Sequence, residues 1–280
     1  MIIDFHTHTF PAAIERAAVG KLEQAAGIHS WLPATNEELI SSMEKANVDY
    51  SVILPVVTGP KQTATINDSA VRLNEKFGGQ GLISFGGIHP ADENYRETLS
   101  WIASHGLKGI KLHPVYQRVA FDDIACMRIV DYAGELGLIV SVHGGIDIGV
   151  PGDQCSPERF ARVIDTVHPE KLVLAHLGGW NQFDLVEELL VGKDVWLDTS
   201  FAIGRPYRDV LVPGTELPDL CDEERFVRMV RNHGAERFLF GTDSPWSSQS
   251  AEIEKIRQMG LSEAEKSMIL GENAAKLLNL

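Results

Sequence analysis

Cysteine is rare in this sequence. Cys126, Cys155 and Cys221 are the only three copies among 280 residues, and no two of them form a CxxC pair. An odd number of widely spaced cysteines argues against a disulfide framework and against a thiolate zinc site. Free thiols are typical of reducing compartments, so we expect a cytoplasmic protein.

Basic residues are also few, since 25 Lys and Arg stand against 39 Asp and Glu, giving a net charge of −14. An acidic surface is repelled by phosphate backbones and by anionic lipid. No run approaches the roughly 18 apolar residues of a membrane span, and Met1 leads directly into MIIDFH rather than into a signal peptide. We therefore expect a small-molecule substrate and neither a nucleic-acid nor a membrane partner. Monomer and homo-oligomer both remain open.

Short apolar runs that end in Gly, Pro, His or Asp recur along the chain, with helical segments between most of them. Because the runs are continuous rather than alternating, they predict strands of a parallel sheet that helices cover on both faces. The eight predicted strands are MIIDFH from Met1, YSVILP from Tyr50, GLISFGGI from Gly81, LKGIKLH from Leu107, GLIVSVH from Gly137, KLVLAH from Lys171, VWLD from Val195 and RFLFGTD from Arg237.

Eight repeats of strand and helix predict a (β/α)₈ TIM barrel forming a single domain over residues 1–280. A doubly wound open sheet is the alternative fold, but it usually stops at five or six strands and no GxGxxG opens a helix here. Two smaller domains are the alternative organisation. The predicted helix starts are Thr35, Asn67, Ser156 and Ser262. The long connections 9–34 and 199–220 are candidate lids.

Polar side chains close several of the predicted strands. His6 and His8 are two residues apart on strand one, so their imidazoles point to the same side. Barrel active sites are built at the carboxyl ends of strands, and imidazole with carboxylate is a ligand set for a divalent ion such as Zn²⁺. The other polar residues at strand ends are Lys111, His113, His143, His176 and Asp243.

Six segments carry a resemblance to a known family: DFHTH, GIKLHP, VSVHGG, LAHLGG, LFGTDSPW and the closing ILGENAAKLLNL. Together they resemble the metal-dependent amidohydrolase superfamily. More narrowly, they resemble the amidohydrolase-related branch that includes aminocarboxymuconate-semialdehyde decarboxylase. The resemblance runs from Asp4 to Leu280 and implies a barrel with one metal ion or two.

The same resemblance implies roles for individual residues. His6, His8, His143 and Asp243 match the metal ligands, and Asp243 also matches the acid that touches the reacting water. His176 matches a catalytic group beside the ion in members with one metal and a ligand in members with two. Lys111 lies on the strand that carries a bridging lysine in the latter, although LHP follows it instead of the usual context.

We expect a metal-dependent hydrolase of a small amide, ester or lactone, with His176 and Asp243 as catalytic residues and Zn²⁺ as the ion. Non-oxidative decarboxylation or hydration at the same site is the alternative, and a metal-binding barrel without turnover is a third reading. Lys111, His113 and His176 are candidates for a second metal or for substrate. Arg118, Arg205 and Arg208 are candidates for an anionic substrate, or else solvated surface cations.

Overall fold

A computed structural model describes residues 1–204 and 210–280, so the candidate substrate residues Arg205 and Arg208 lie outside the described part of the chain. The described residues contain nine short parallel strand segments. Two of them, β3 and β4, are one barrel strand interrupted at Phe85. The segments are β1 (Ile3–Thr7), β2 (Tyr50–Ile53), β3 (Leu82–Ser84), β4 (Gly86–Gly87), β5 (Gly109–Leu112), β6 (Ile139–Val142), β7 (Leu172–Leu174), β8 (Trp196–Asp198) and β9 (Phe238–Leu239).

Backbone hydrogen bonds join the first strand to the last. The Phe5 N–H donates to the Phe240 carbonyl at 2.8 Å, and the Asp243 N–H donates to the His6 carbonyl at 2.8 Å. Thr7 forms a parallel bridge with Ser244 just beyond these bonds. Each remaining strand pairs in parallel with its sequence neighbour, so the strands form the predicted (β/α)₈ TIM barrel.

The helices between the strands begin where the sequence predicted in three of four cases. Thr35 and Ser262 cap α2 (Asn36–Ala46) and α11 (Glu263–Ser267) with their hydroxyls, and α7 (Pro157–Val167) begins directly after Ser156. The Asn67 prediction is wrong. Helix α3 (Thr63–Phe77) begins at Thr63, and the buried Asn67 amide instead bonds the backbone of Gly87 in the next strand. A local sequence signal cannot distinguish a cap from such a long-range contact.

Among the described residues, no helix is both long enough and apolar enough to cross a bilayer. The helices are α1 (Glu15–Ala26), α2 (Asn36–Ala46), α3 (Thr63–Phe77), α4 (Tyr95–Ser104), α5 (Pro114–Gln117), α6 (Ile124–Glu135), α7 (Pro157–Val167), α8 (Phe183–Leu189), α9 (Glu223–His233), α10 (Gln249–Gln258), α11 (Glu263–Ser267) and α12 (Asn273–Leu278), with a π-helical turn Met268–Glu272 between the last two.

A small apolar cluster collects buried side chains from strands all around the barrel, together with α12. Helix α12 lies at the amino-terminal end of the strands, because the Lys108 ammonium just before β5 donates to the Leu278 carbonyl at 2.7 Å. A larger cluster packs the outer faces of the strands against the surrounding helices. Apolar packing therefore fills the lower barrel and leaves the carboxyl ends of the strands for polar groups.

The two long connections predicted as lids are joined to each other. The His29 N–H donates to the Val210 carbonyl at 2.6 Å, and the Val212 N–H donates to the Gly27 carbonyl at 3.0 Å. Ile28 and Leu211 form the antiparallel bridge between these bonds. The connection 9–34 is also not a simple loop, since it contains α1. Both connections follow carboxyl strand ends, so they meet at the end of the barrel where the site is expected.

Candidate metal centre

Three side chains of metal-ligand type meet where the first and last barrel strands join. His6 Nε2 lies 3.1 Å from His8 Nε2, and Asp243 Oδ1 lies 3.1 Å from His8 Nε2 and 3.4 Å from His6 Nε2. The structure therefore brings together three of the four ligands predicted from the sequence.

Hydrogen bonds on the far side of each imidazole fix where its proton lies. His6 Nδ1 donates to Asp198 Oδ2 at 2.8 Å, and His8 Nδ1 donates to the Leu54 carbonyl at 2.9 Å. A neutral imidazole has one N–H, so both Nε2 atoms present lone pairs to each other and to Asp243 Oδ1. Three acceptors at this separation repel one another unless a cation lies between them. The donor set, two imidazole nitrogens and one carboxylate oxygen, fits a divalent ion such as Zn²⁺.

The protonation states of His6 and Asp243 also suit metal binding. Burial, reinforced by the Lys111 charge, lowers the pKa of His6 to about 3, so its imidazole is neutral at neutral pH. Burial alone would raise the pKa of Asp243, but the neighbouring imidazoles of His8, His6 and His176 outweigh it and hold that pKa at about 2. A neutral imidazole and an ionised carboxylate are the forms that bind metal.

Irregular backbone conformations orient the side chains of His6 and Asp243. The register between β1 and β2 shifts between Asp4 and Thr7, so the pairing is irregular along the segment that carries His6. Asp243 adopts φ +61°, an uncommon conformation for a residue with a side chain, and its N–H is held by the His6 carbonyl. A Cβ at Gly241 would lie 2.9 Å from the His6 Cβ, so glycine is required for β9 to approach this closely.

His143 and His176 form a second pair next to the first three residues. His176 Nδ1 donates to the Ser200 carbonyl at 2.8 Å, and His176 Nε2 faces His143 Nδ1 at 3.1 Å. The His176 ring centre lies 5.2 Å from that of His6. Among the described residues, the buried His143 Nε2 has no hydrogen-bond partner.

His143, the fourth predicted ligand, groups with other residues in this structure. Potential ligand atoms of His113, His143 and Asp147 lie within 4.8 Å of one another, whereas the group formed by His6, His8 and Asp243 does not include His143. His143 reaches the centre through its contact with His176.

Lys111 extends from β5 into the centre, where its Nζ lies 3.4 Å from His6 Nε2. Burial lowers the pKa of Lys111 to about 8, and the charges of Asp198 and Asp243 oppose a larger fall. At neutral pH the side chain therefore remains mainly an ammonium group. The site combines a fixed cation with the candidate ligands.

His113 and Asp147 border the centre on the side of His143. The His113 ring lies between two parallel rings, Tyr116 at 3.8 Å and His143 at 4.1 Å. The Tyr116 hydroxyl bonds Asp147, and burial raises the pKa of both side chains. Of the three predicted arginines, Arg118 is the one within the described residues. It lies at the carboxyl end of α5 and its side chain is exposed.

Three polar residues of the site were not identified from the sequence: Asp147, Asp198 and Ser200. Asp198 closes the predicted strand VWLD, so the rule that selected Asp243 would have selected it too. Its carboxylate accepts from His6 Nδ1 and from the backbone N–H groups of His176 and Ser200. Asp147 lies in a glycine-rich loop, and Ser200 follows a strand by two residues, so neither position carries a comparable signal.

Solved structures with the same fold include three enzymes at low sequence identity. The 5-carboxyvanillate decarboxylase of Sphingomonas paucimobilis is 15% identical at a TM-score of 0.69, covering 100% of this chain and 99% of that one. The 2,6-dihydroxybenzoate decarboxylase from Rhizobium is 12% identical at 0.68, covering 99% and 98%. A probable 2-pyrone-4,6-dicarboxylic acid hydrolase from Acinetobacter baumannii, solved with citric acid, is 16% identical at 0.65, covering 100% and 99%.

Sequence comparison gives the family. No curated protein sequence matches the chain. A family model described as Amidohydrolase, however, matches residues 3–280, a range that includes every strand of the barrel and all the candidate ligands. The match agrees with the resemblance carried by the sequence motifs, and the chain belongs to the amidohydrolase family.

Proposed function

We propose that the protein is a metal-dependent hydrolase of a small amide, ester or lactone. The observation that carries the proposal is the convergence of His6 Nε2, His8 Nε2 and Asp243 Oδ1, three acceptors of which the Lys111 ammonium contacts only His6 Nε2. A divalent ion in such a site supplies a Lewis acid and makes water acidic enough to ionise near neutral pH. We propose one Zn²⁺ held by these three residues, with His143 as a fourth ligand.

Residues of the chain would carry the protons and charge of the reaction. Asp243 is ionised, so it can accept a proton from the attacking water and deliver it to the leaving group. Lys111 places a positive charge in the centre, where it stabilises an oxyanion that develops on the substrate. His176 directs the lone pair of Nε2 toward His143, so it can take up a proton there and return it to the leaving group.

Non-oxidative decarboxylation is the second candidate function, and the buried Asp147 favours it. Burial raises the pKa of this carboxyl group, which makes it a better proton source for the carbon that loses CO₂. Two of the structures compared above are named as decarboxylases, which is in keeping with this alternative.

The two reactions differ in their products. Zn²⁺-loaded protein is offered lactones, small amides and esters, and hydroxylated aromatic carboxylates in water enriched in ¹⁸O. A hydrolase incorporates ¹⁸O into a new carboxylate, whereas a decarboxylase releases CO₂ without doing so. The double variant His6→Ala/His8→Ala should lose both the stoichiometric ion and the activity. Full metal occupancy in that variant would contradict the ligand assignment.

The charge and the cysteine content of the chain bear on its partners and its location in the cell. We propose a small-molecule substrate with no nucleic-acid or membrane partner, on the grounds of the acidic surface charge. We propose a cytoplasmic location because the three cysteines are all unpaired and buried.

A further inference from the structure

His113 and Asp147 form a polar pair beside the candidate metal centre that the proposed hydrolysis does not require, although decarboxylation would use Asp147. Both side chains are buried, and His113 Nε2 lies 3.8 Å from Asp147 Oδ2. This separation is too long for a hydrogen bond between them. Two buried polar atoms thus face each other across a gap.

The hydrogen bonds around the pair identify which atoms are donors. His113 Nδ1 accepts the Tyr116 backbone N–H at 3.5 Å, so a neutral His113 carries its proton on Nε2. Asp147 Oδ1 accepts the N–H groups of Gly149 and Val150 at 2.9 and 2.8 Å. The Tyr116 hydroxyl also donates to Asp147, but a carboxylate offers about four lone pairs, so Oδ2 can still accept from the gap. One wall of the gap is therefore a donor and the other is an acceptor.

An occupant of this gap must both accept and donate a hydrogen bond. An oxygen atom can lie about 2.8 Å from each of two atoms that are 3.8 Å apart. A carboxylate oxygen would only accept and would meet the Asp147 charge. An ammonium group would only donate, and a divalent ion would meet the His113 N–H. A hydroxyl group satisfies both walls.

The gap is close to the candidate metal centre. The His113 ring stacks on His143 at 4.1 Å, and His143 Nδ1 contacts His176 Nε2 at 3.1 Å. The buried His143 Nε2, which has no partner within the described ranges, adds an unsatisfied polar atom beside the pair. Because His143 is also the proposed fourth ligand, a substrate bound at the ion would lie next to the pair.

We propose that His113 and Asp147 form a specificity subsite that binds a hydroxyl group of the substrate, distinct from the group that meets the metal. The inference rests on the proposed function and adds to it a substrate class, small hydroxylated carbonyl compounds. Asp147→Asn would place an amide N–H or a weaker acceptor at the gap, and His113→Phe would keep the stacked ring but remove the donor.

Binding of hydroxamates tests the subsite without turnover, since a hydroxamate chelates a divalent ion by itself. The probes are benzohydroxamate and its 2-, 3- and 4-hydroxy derivatives, titrated by calorimetry into Zn²⁺-loaded protein. Two added hydrogen bonds predict that one hydroxylated isomer binds roughly tenfold tighter than the parent. Asp147→Asn and His113→Phe should each reduce that preference below about threefold while changing the affinity for benzohydroxamate less than about twofold.

Asp153→Asn is the matched control, because Asp153 lies in the same loop with an exposed carboxylate paired to Arg159, and it should keep the preference. Absence of any isomer preference in the wild type overturns the subsite, as does a preference that survives both variants. The ¹⁵N chemical shifts of His113 decide the point independently of metal: an Nε2–H tautomer is expected, and an Nδ1–H tautomer refutes the inference. Failure to bind a divalent ion would refute the proposed function and leave this tautomer test in force.

Discussion

The bond between Asp198 and His6 should control metal affinity from outside the ligand set. In Asp198→Asn, the remaining oxygen should keep its position because the backbone N–H groups of His176 and Ser200 and the Ser200 hydroxyl all donate to Oδ1. The new amide NH₂ then faces His6 Nδ1, where the carboxylate accepted at 2.8 Å. To avoid two opposed donors, His6 must move its proton to Nε2, which removes the lone pair that faces the ion.

Loss of such an outer partner typically lowers metal affinity by about 10- to 100-fold, or roughly 1.4 to 2.7 kcal/mol. The assay is competition for Zn²⁺ between the protein and a chromophoric chelator at neutral pH, with thermal unfolding measured in parallel to confirm that the variant is folded. We expect Asp198→Asn to bind Zn²⁺ at least tenfold more weakly than the wild type.

Asp194→Asn is the control for this experiment, since its carboxylate is exposed near the start of the same strand and only approaches Arg237 at 3.5 Å. It should bind Zn²⁺ like the wild type. If Asp198→Asn retained Zn²⁺ affinity within twofold of the wild type, the tautomer assigned to His6 would be wrong, and with it the reasoning that three lone pairs converge.

Three further outcomes are expected. His176→Ala should lose roughly 10²- to 10⁴-fold in turnover while keeping most of its metal. Metal analysis and a rate assay check this, and loss of the ion together with the activity would contradict it. Gly145→Ala should unfold at least 3 kcal/mol more easily in urea, or fail to fold, since Gly145 has φ +84° and a Cβ there would lie 2.1 Å from the Trp180 nitrogen; near wild-type stability would refute that strain. Burial raises the pKa of Asp122, but hydrogen bonds from Arg159 and Arg162 outweigh burial and lower that pKa below its usual value. The ion pairs therefore stabilise the fold above the pKa that Asp122 has in the unfolded chain, and this stabilisation is lost as the pH falls. Asp122→Asn should therefore cost about 0.5 to 1 kcal/mol at pH 7, and this deficit should shrink below about pH 4; a deficit that is constant with pH would contradict the ion pair.

Prediction of the fold from the sequence succeeded because buried parallel strands leave a strong local signal. Each continuous apolar run from Met1 to Asp243 corresponds to a strand, and in six of the eight runs a final His or Asp marks the carboxyl end. Three predicted ligands, His6, His8 and Asp243, meet because barrel closure places the carboxyl ends of the first and last strands next to each other.

Other parts of the site depend on backbone detail that local patterns do not contain. The grouping of His143 with His113 and Asp147 follows from the loop after β6, whose Asx-type turn at Asp147 is set by backbone amides. The pairing of the two long connections joins Ile28 to Leu211, a contact between segments far apart in sequence that no short-range rule predicts.

The seam between the first and last strands has a consequence for how the protein matures. His6 is synthesised more than 200 residues before Asp243, and the two meet only when the barrel closes. The proposed ligand set is therefore incomplete until Asp243 has been synthesised and the barrel has closed. An ion bound across the seam would favour the closed barrel over opened forms, by about 2.7 kcal/mol at a free concentration 100 times the Kd. Metal supply would then govern the lifetime of the protein as well as its chemistry.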